Sequence, residues 1–311
     1  MRIKEMKRAD GMKKKVVLAG GTGFIGQYLN DRFAEAGYDV KVISRGSKIH
    51  SWDRFDSIVE AIEGSDMLIN LAGKSVNCRY NEKNKAEIFS SRTDTTEMLG
   101  KAILQCANPP SLWINSSTAT IYRHAEDRAM TEKNGEIGSG FSVDVAKAWE
   151  KSFFSFDLPN TRQAALRIAI VLGDGGVMTP YRNLAKFGLG GVQGSGRQMF
   201  SWIHVEDVYR IIQFIREKEH LRGVFNTAAP KPISNQEFMS EVRKAMNIKF
   251  GLPSPKWMLE MGAVFIRTET ELVLKSRWVI PERLEREGFT FKYPDMKSAL
   301  GEILRKEVQR G

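Results

Sequence analysis

The sequence predicts an α/β protein built on a doubly wound parallel sheet, with a smaller subdomain towards its C-terminal end. Three observations carry this. Short apolar, β-branched runs alternate with stretches of helical apolar spacing from residue 16 to residue 173. The first of those runs ends in a glycine cluster that opens a helix. After Gly173 the texture changes to glycine-rich loops and short pieces broken by proline.

Taken in order, VVLAG (16–20) is the first strand, and FIGQYLNDRFAEAGY (24–38) is a helix that stops at Gly37. DVKVIS (39–44) is the second strand, SIVEAIEGS (57–65) a short helix and DMLINLAG (66–73) the third strand. The polar stretch 81–106 reads as a long helix, followed after Pro109 and Pro110 by the strand SLWINSS (111–117). A helix over 141–156 and the strand RQAALRIAIVLG (162–173) complete the regular part. Beyond it, MFSWIHVEDVYRIIQFI is a strand leading into a helix, and GVFNTAAP (223–230) is a further strand. NQEFMSEVRKAM (235–246) is a helix with Asn235 placed to cap it, and the pieces after it are short, broken by Pro253, Pro255, Pro281 and Pro294.

Composition excludes several classes. With 311 residues, 42% hydrophobic and 27% charged, the chain has ordinary globular make-up rather than that of a disordered protein. No apolar run approaches the ~20 residues of a membrane span. MRIKEMKRADGMKKK lacks the apolar centre of a signal peptide, so the expectation is a cytoplasmic protein without a membrane partner. Two cysteines, Cys78 and Cys106, form neither a disulfide framework nor a metal-ligand spacing, and no metal is expected. Much of the net charge of +10 sits in the first fifteen residues; Met12 lies just ahead of the first strand, so residues 1–11 read as a dispensable extension or a mis-called start. The other basic residues are scattered without an aromatic-basic stripe, which argues against nucleic acid. They suit a solvated surface or an anionic small molecule.

The strongest motif is AGGTGFIG (19–26). Gly20 allows the tight turn out of the strand, Gly23 lets backbone approach a pyrophosphate, and Gly26 lets helix and strand pack closely. Thr22, Phe24 and Ile25 fill the loop and first turn, where free N–H groups meet the phosphates. Strand, glycines, amphipathic helix and second strand together give the context of a dinucleotide site. The second strand ends in Ser44-Arg45-Gly46, with no acid until Asp53. A serine and a forked guanidinium suit a 2′-phosphate, so NADP (as NADPH) is expected over NAD. Ala72 and Gly73, small residues ending LINLAG, allow close approach on the adenosine side. The organisation read from this is a basic extension over 1–12, an NADP-binding Rossmann-type domain over 13–175 and a substrate-binding subdomain over 176–311, with 199–230 returning to the Rossmann core.

With GGTGFIG, NLAG, SSTATIY and FSWIHVEDV in this order, the chain resembles the extended short-chain dehydrogenases/reductases. More narrowly it is similar to their atypical "epimerase family protein" branch, also labelled a cell-division-inhibitor type of nucleotide-sugar epimerase. The stretches that carry this are SRTDTT (91–96), AWE (148–150), RIAIVLGDGG (167–176), LGGVQGSGRQMFSWIHVEDV (189–208) and WVIPERLEREGFTF (278–291). The resemblance runs from Lys13 to Leu304. It implies NADP lying across the strand ends, and binding roles for Ser44, Arg45, Leu71, Ala72, Glu87, Arg92 and Val171. Arg92 is either a cation flanking the cofactor cleft or a solvent-exposed helix arginine.

In that superfamily a Tyr, with a Lys four residues on, moves the proton that accompanies hydride transfer, and a Ser or Thr polarises the carbonyl. Ser117 fills the last place. The other two places, counted back from Glu150, hold Ser142 and Ala146. Lys147 is one residue off, turned ~100° around the helix. The relay is missing. Tyr122, just past the fourth strand, is the candidate replacement; its alternative is a half-buried aromatic with a satisfied hydroxyl. Tyr293-Pro-Asp-Met-Lys297 repeats the spacing by coincidence, with Pro294 inside it. His204 reads as orienting a loop or the next helix, and Trp149 and Trp202 as packing residues. The loop 188–197 is either a mobile lid, with Arg197 meeting an anionic substrate, or a tight crossover. Two functions follow: an NADP(H)-dependent oxidoreductase or epimerase-like enzyme of a small molecule, or an NADP(H)-binding regulator with little turnover. A monomer or a homodimer fits either.

Overall fold

The computed structural model describes residues 13–254 and 274–308. The basic extension 1–12, the segment 255–273 and residues 309–311 lie outside the described residues. The alternating half runs β1 (Lys15–Ala19), α1 (Phe24–Glu35), β2 (Asp39–Ile43), α2 (Phe55–Ile62), β3 (Met67–Asn70), α3 (Glu82–Gln105), β4 (Leu112–Thr118), α4 (Phe141–Phe154) and β5 (Arg162–Ile168). It continues through β6 (Ile170–Leu172), α5 (Met178–Lys186), β7 (Met199–Phe200), β8 (Trp202–His204), α6 (Val205–Glu217), β9 (Gly223–Thr227), β10 (Ile233–Ser234) and α7 (Asn235–Ala245). Two helices close the chain, α8 (Glu282–Arg286) and α9 (Met296–Val308).

The central sheet has six strands in the order β2-β1-β3-β4-β5-β9, all paired in parallel. The order reverses at the β1/β3 boundary, and ligands of such sheets bind outside the strand ends at that point. Both faces of the sheet are covered, so its strands are apolar on both sides rather than alternating. Val16 and Leu18 of β1 pack with Phe33 of α1 and Ile212 of α6. Val17 and Ala19 point to the opposite face, among Ile58 of α2 and Leu99 of α3.

Three expectations are corrected. The strand expected over 162–173 is two strands in two sheets: the Ala169 amide donates to Thr227 O and the Ile170 amide to Ser201 O, so the chain leaves β9 and β6 pairs with β8. Asn235 is not the cap of α7. Ser234 is, with Glu237 completing a reciprocal capping box. The Asn235 carboxamide is instead buried, accepting from the Gln193 amide at 2.9 Å. The tail also holds a full helix: α9 buries Ala299, Leu300 and Ile303 against Phe238 and Val242 of α7.

Candidate functional site

At the sheet's C-terminal edge the chain leaves β1 through Gly20, whose φ of +78° favours glycine. A Cβ there would stand 2.7 Å from the Ala72 backbone, and one on Gly26 2.6 Å from Gly21. The two loops and α1 therefore touch backbone to backbone. Gly23 differs: a Cβ on it would meet nothing within 4 Å, and it faces open space at the uncapped start of α1. That is a cradle an anion can enter without moving a side chain.

The open space is a cleft of about 400 Å³ between the β1 loop, the end of β4, and helices α3 and α4. Of the expected cofactor residues, Gly20, Gly23, Phe24, Ile25, Gly26, Leu71, Arg92 and Val171 line it. Ala72 is buried against Gly20, and Gly73 rests on the Arg92 guanidinium. Thr22 and Arg45 are exposed, and Ser44 is buried with its amide donating to His50 O at 3.2 Å. Glu87 is ion-paired with Lys74, whose hydrogen bond holds the carboxyl below its usual range; the Arg45 charge acts in the same direction.

Arg92 is the unusual group. Its guanidinium donates to Ile88 O at 2.9 Å and lies 5.1 Å from the Trp149 ring centroid. Among the described residues no carboxylate pairs with it. Burial pushes its pKa down to about 10. A cation so desolvated has an unmet demand for an anion, which the phosphates of a dinucleotide satisfy.

Helix α4 forms the opposite wall with Ser142, Val145, Ala146 and Trp149. The positions where a Tyr and a Lys would stand thus face the cleft, carrying a hydroxymethyl and a methyl group. Lys147 points to solvent, 4.0 Å from Asp144. Trp149 is both wall and packing, with Nε1 donating to Thr96 at 3.0 Å.

Ser117 lines the cleft, and its hydroxyl donates to Glu150 Oε1 at 2.6 Å. Arg167 grips the same carboxylate through Nε and Nη2 at 2.8 and 2.7 Å. Its Nη1 donates to the Tyr122 hydroxyl at 2.9 Å, and that hydroxyl donates to Asn226 Oδ1 at 2.8 Å. This is a correction for Tyr122. It is 2% exposed, does not line the cleft, and burial raises its pKa, whereas a proton donor needs access and a lowered value.

His204 accepts from the Glu206 amide at 3.1 Å, capping α6, and its other ring nitrogen lies 3.0 Å from Glu302 of α9. Trp202 is fully buried. Tyr293 lies against His204, in a separate cavity on the other side of α1. The loop 188–197 is pinned as a crossover: the Leu252 amide donates to Gly188 O at 2.7 Å, and those of Gly191 and Gly194 to Leu252 O and Ser254 O at 3.1 and 2.9 Å. Arg197 is exposed on it.

The Glu150–Arg167 pair escaped sequence reasoning, although an arginine inside AALRIAIV signals a buried charge needing an acid. Tyr80 and Phe141, rings 5.0 Å apart that also line the cleft, carry no such signal, because loop and helix meet only in the fold.

Residues 16–147 match the family described as "NAD dependent epimerase/dehydratase", and residues 254–303 match a domain of unknown function. The chain is 32% identical over 302 residues to epimerase family protein SDR39U1 of Homo sapiens, spanning 93% of this chain and 99% of that one. It is 30% identical over 308 residues to epimerase family protein YfhF of Bacillus subtilis (strain 168), spanning 94% and 99%. The crystal structure of human SDR39U1 (isoform 2) with NADPH superposes with a TM-score of 0.85 at 31% identity, covering 94% of this chain and 99% of that one. A UDP-N-acetylglucosamine 4-epimerase from Bacillus cereus shares the fold, with a TM-score of 0.73 at 17% identity over 96% and 97% of the two chains.

Proposed function

The chain belongs to the NAD-dependent epimerase/dehydratase family, and on that premise we propose that it is an NADPH-dependent oxidoreductase of a small carbonyl compound. The observation that carries this reading is Arg92, a desolvated cation that no carboxylate pairs with among the described residues, in the wall of a cleft entered by a glycine cradle. The human relative solved with NADPH supports the choice of cofactor. Gly20, Gly23 and the N-terminus of α1 hold the diphosphate, Arg92 neutralises it, and Ser44 and Arg45 take the 2′-phosphate. Leu71 and Val171 pack on the rings. When bound, the cofactor supplies the hydride.

The residues of the chain do the rest. Ser117 can turn its hydroxyl from Glu150 to a carbonyl oxygen without baring a charge, because Arg167 keeps two hydrogen bonds to that carboxylate. It polarises the carbonyl and steadies the negative charge that grows there. The wall opposite offers Ser142 and Ala146 rather than a titratable donor. An acceptor whose charge spreads over a conjugated system, such as an enone, is therefore served better than a simple ketone, which needs a proton at once. Tyr80, Phe141 and Trp149 give such a flat molecule apolar walls.

The test follows NADPH fluorescence in the presence of aldehydes, ketones and enones. Oxidation fastest with enones and lost in Ser117→Ala is the expected result. The α4 wall also favours a second reading, an NADPH-binding regulator without turnover; tight NADPH binding with silence across the whole panel selects it.

A further inference from the structure

The tetrapeptide Lys-Phe-Gly-Leu occurs twice, at 186–189 and 249–252, too short to register as a repeat in the chain. The fold sets the two copies side by side. The Leu252 amide donates to Gly188 O at 2.7 Å, and the segments that follow remain hydrogen-bonded through Gly191, Val192, Gly194 and Ser254. A Cβ on Gly251 would meet Gly190 at 2.7 Å, so the backbones touch. Both copies thus enter this pairing from the same end. Their side chains do not fold back into the lobe: Phe187 is 80% exposed, Phe250 66%, Leu252 50% and Leu189 37%.

Four large apolar side chains on one tip form a patch of the kind that marks an interaction surface. Its rim is basic. Lys186 and Lys249 precede the two phenylalanines and are exposed, and Arg243 stands behind the loop, bonded to Gly190 O. Glu241, on α7 with Arg243, is paired with Lys244 at 2.7 Å. Apolar tips flanked by ammonium groups match a surface that is anionic outside and apolar a few ångströms in. They fit a second copy of this chain badly, since two such tips would bring like charges at Lys249 together.

We propose that this paired Lys-Phe-Gly-Leu tip docks the protein reversibly on an anionic bilayer surface, with Phe187 and Phe250 entering the headgroup region. It is a peripheral contact: no helix among the described residues is long and apolar enough to cross a membrane. It departs from the expectation that no membrane partner exists. A contact of this kind draws on apolar burial and on attraction between basic groups and anionic lipids, and salt screens the second part.

Co-sedimentation of the full chain with vesicles of equal parts phosphatidylcholine and phosphatidylglycerol, and of phosphatidylcholine alone, tests it. The expected result is binding to the mixed vesicles that weakens with added salt, with much less on phosphatidylcholine. Phe187→Ser with Phe250→Ser should weaken that binding roughly tenfold or more, at unchanged melting temperature and NADPH affinity. Lys249→Glu should weaken it at low salt only. No binding overturns the proposal, as does binding that the double serine variant leaves intact. Binding lost on removal of residues 1–11 overturns it too, because the basic extension would then be the contact. Dimerisation in sedimentation velocity that the double variant abolishes, without vesicle binding, assigns the patch to a second copy instead.

Discussion

Replacing Arg92 by Met separates cofactor binding from folding, because the two should move in opposite directions. The guanidinium has a pKa of about 10, pushed down by burial. Against an ordinary value of about 12.5, and at about 1.4 kcal/mol per pH unit, holding the charge there costs about 3 kcal/mol in the free protein. Bound phosphate offsets that cost. Met keeps the length of the stem and removes the charge, so the free protein should become more stable, its melting temperature rising by roughly 2–4 °C per kcal/mol gained. The 5.1 Å contact with Trp149 and the bond to Ile88 O are lost as well, which trims the gain. NADPH affinity should fall by about two powers of ten, the equivalent of about 3 kcal/mol. Calorimetry with NADPH, together with melting curves of the free and the saturated protein, measures both effects. A variant that melts lower and binds NADPH as well as the parent refutes the reasoning, because Arg92 would then be a packing residue.

Other substitutions probe the rest of the site. Arg45→Ala should weaken NADPH binding by about 2 kcal/mol and leave NADH unchanged; an equal loss for both nucleotides contradicts a contact with the 2′-phosphate. Glu150→Gln strands the buried Arg167 charge and should lower stability by ~3 kcal/mol in denaturant titrations, with NADPH binding retained. Tyr122→Phe breaks two buried hydrogen bonds and should cost ~1–3 kcal/mol of stability. Any enone reduction by that variant should proceed at the parent rate, and a loss of turnover in a stable protein would return Tyr122 to the chemistry. Gly26→Ala places a methyl carbon 2.6 Å from the Gly21 backbone and should abolish cofactor binding or folding, read by NADPH-induced thermal shift.

The sheet was legible because both of its faces are covered, leaving runs such as VVLA and MLI apolar throughout. The glycine loop was legible because close approach at Gly20 and Gly26 leaves no alternative residue. What stayed hidden depends on contacts between distant segments. Nothing in RQAALRIAIVLG marks Ala169 as the point where one strand becomes two, since the Thr227 and Ser201 carbonyls that split it come later in the chain. For Tyr122 the sequence left a proton donor and a satisfied aromatic side by side; what it could not show is the partner that decides, since the hydroxyl reaches Asn226 on β9 while nearby Ser117 faces the cleft. Arg92 could be placed on the cleft by resemblance, but that no acid among the described residues pairs with it is a property of the packed structure. The cap of α7 was misplaced by one residue because Ser234 and Asn235 both suit a cap, and only the buried Gln193 decides between them.

The handover at Ala169 also bears on how such a protein can change. Ile168 and Val171 sit on either side of it and both form the floor of the cleft. That part of the floor is one ribbon passing from one sheet into the other, so a shift of its backbone there disturbs hydrogen bonds to both the Thr227 and the Ser201 carbonyls. Novelty in what the cleft accepts must come from its replaceable sides, the stretch around Val76 and Tyr80 and the inner face of α4. Relatives diverging in substrate should therefore differ there first, with the ribbon beneath left as it is.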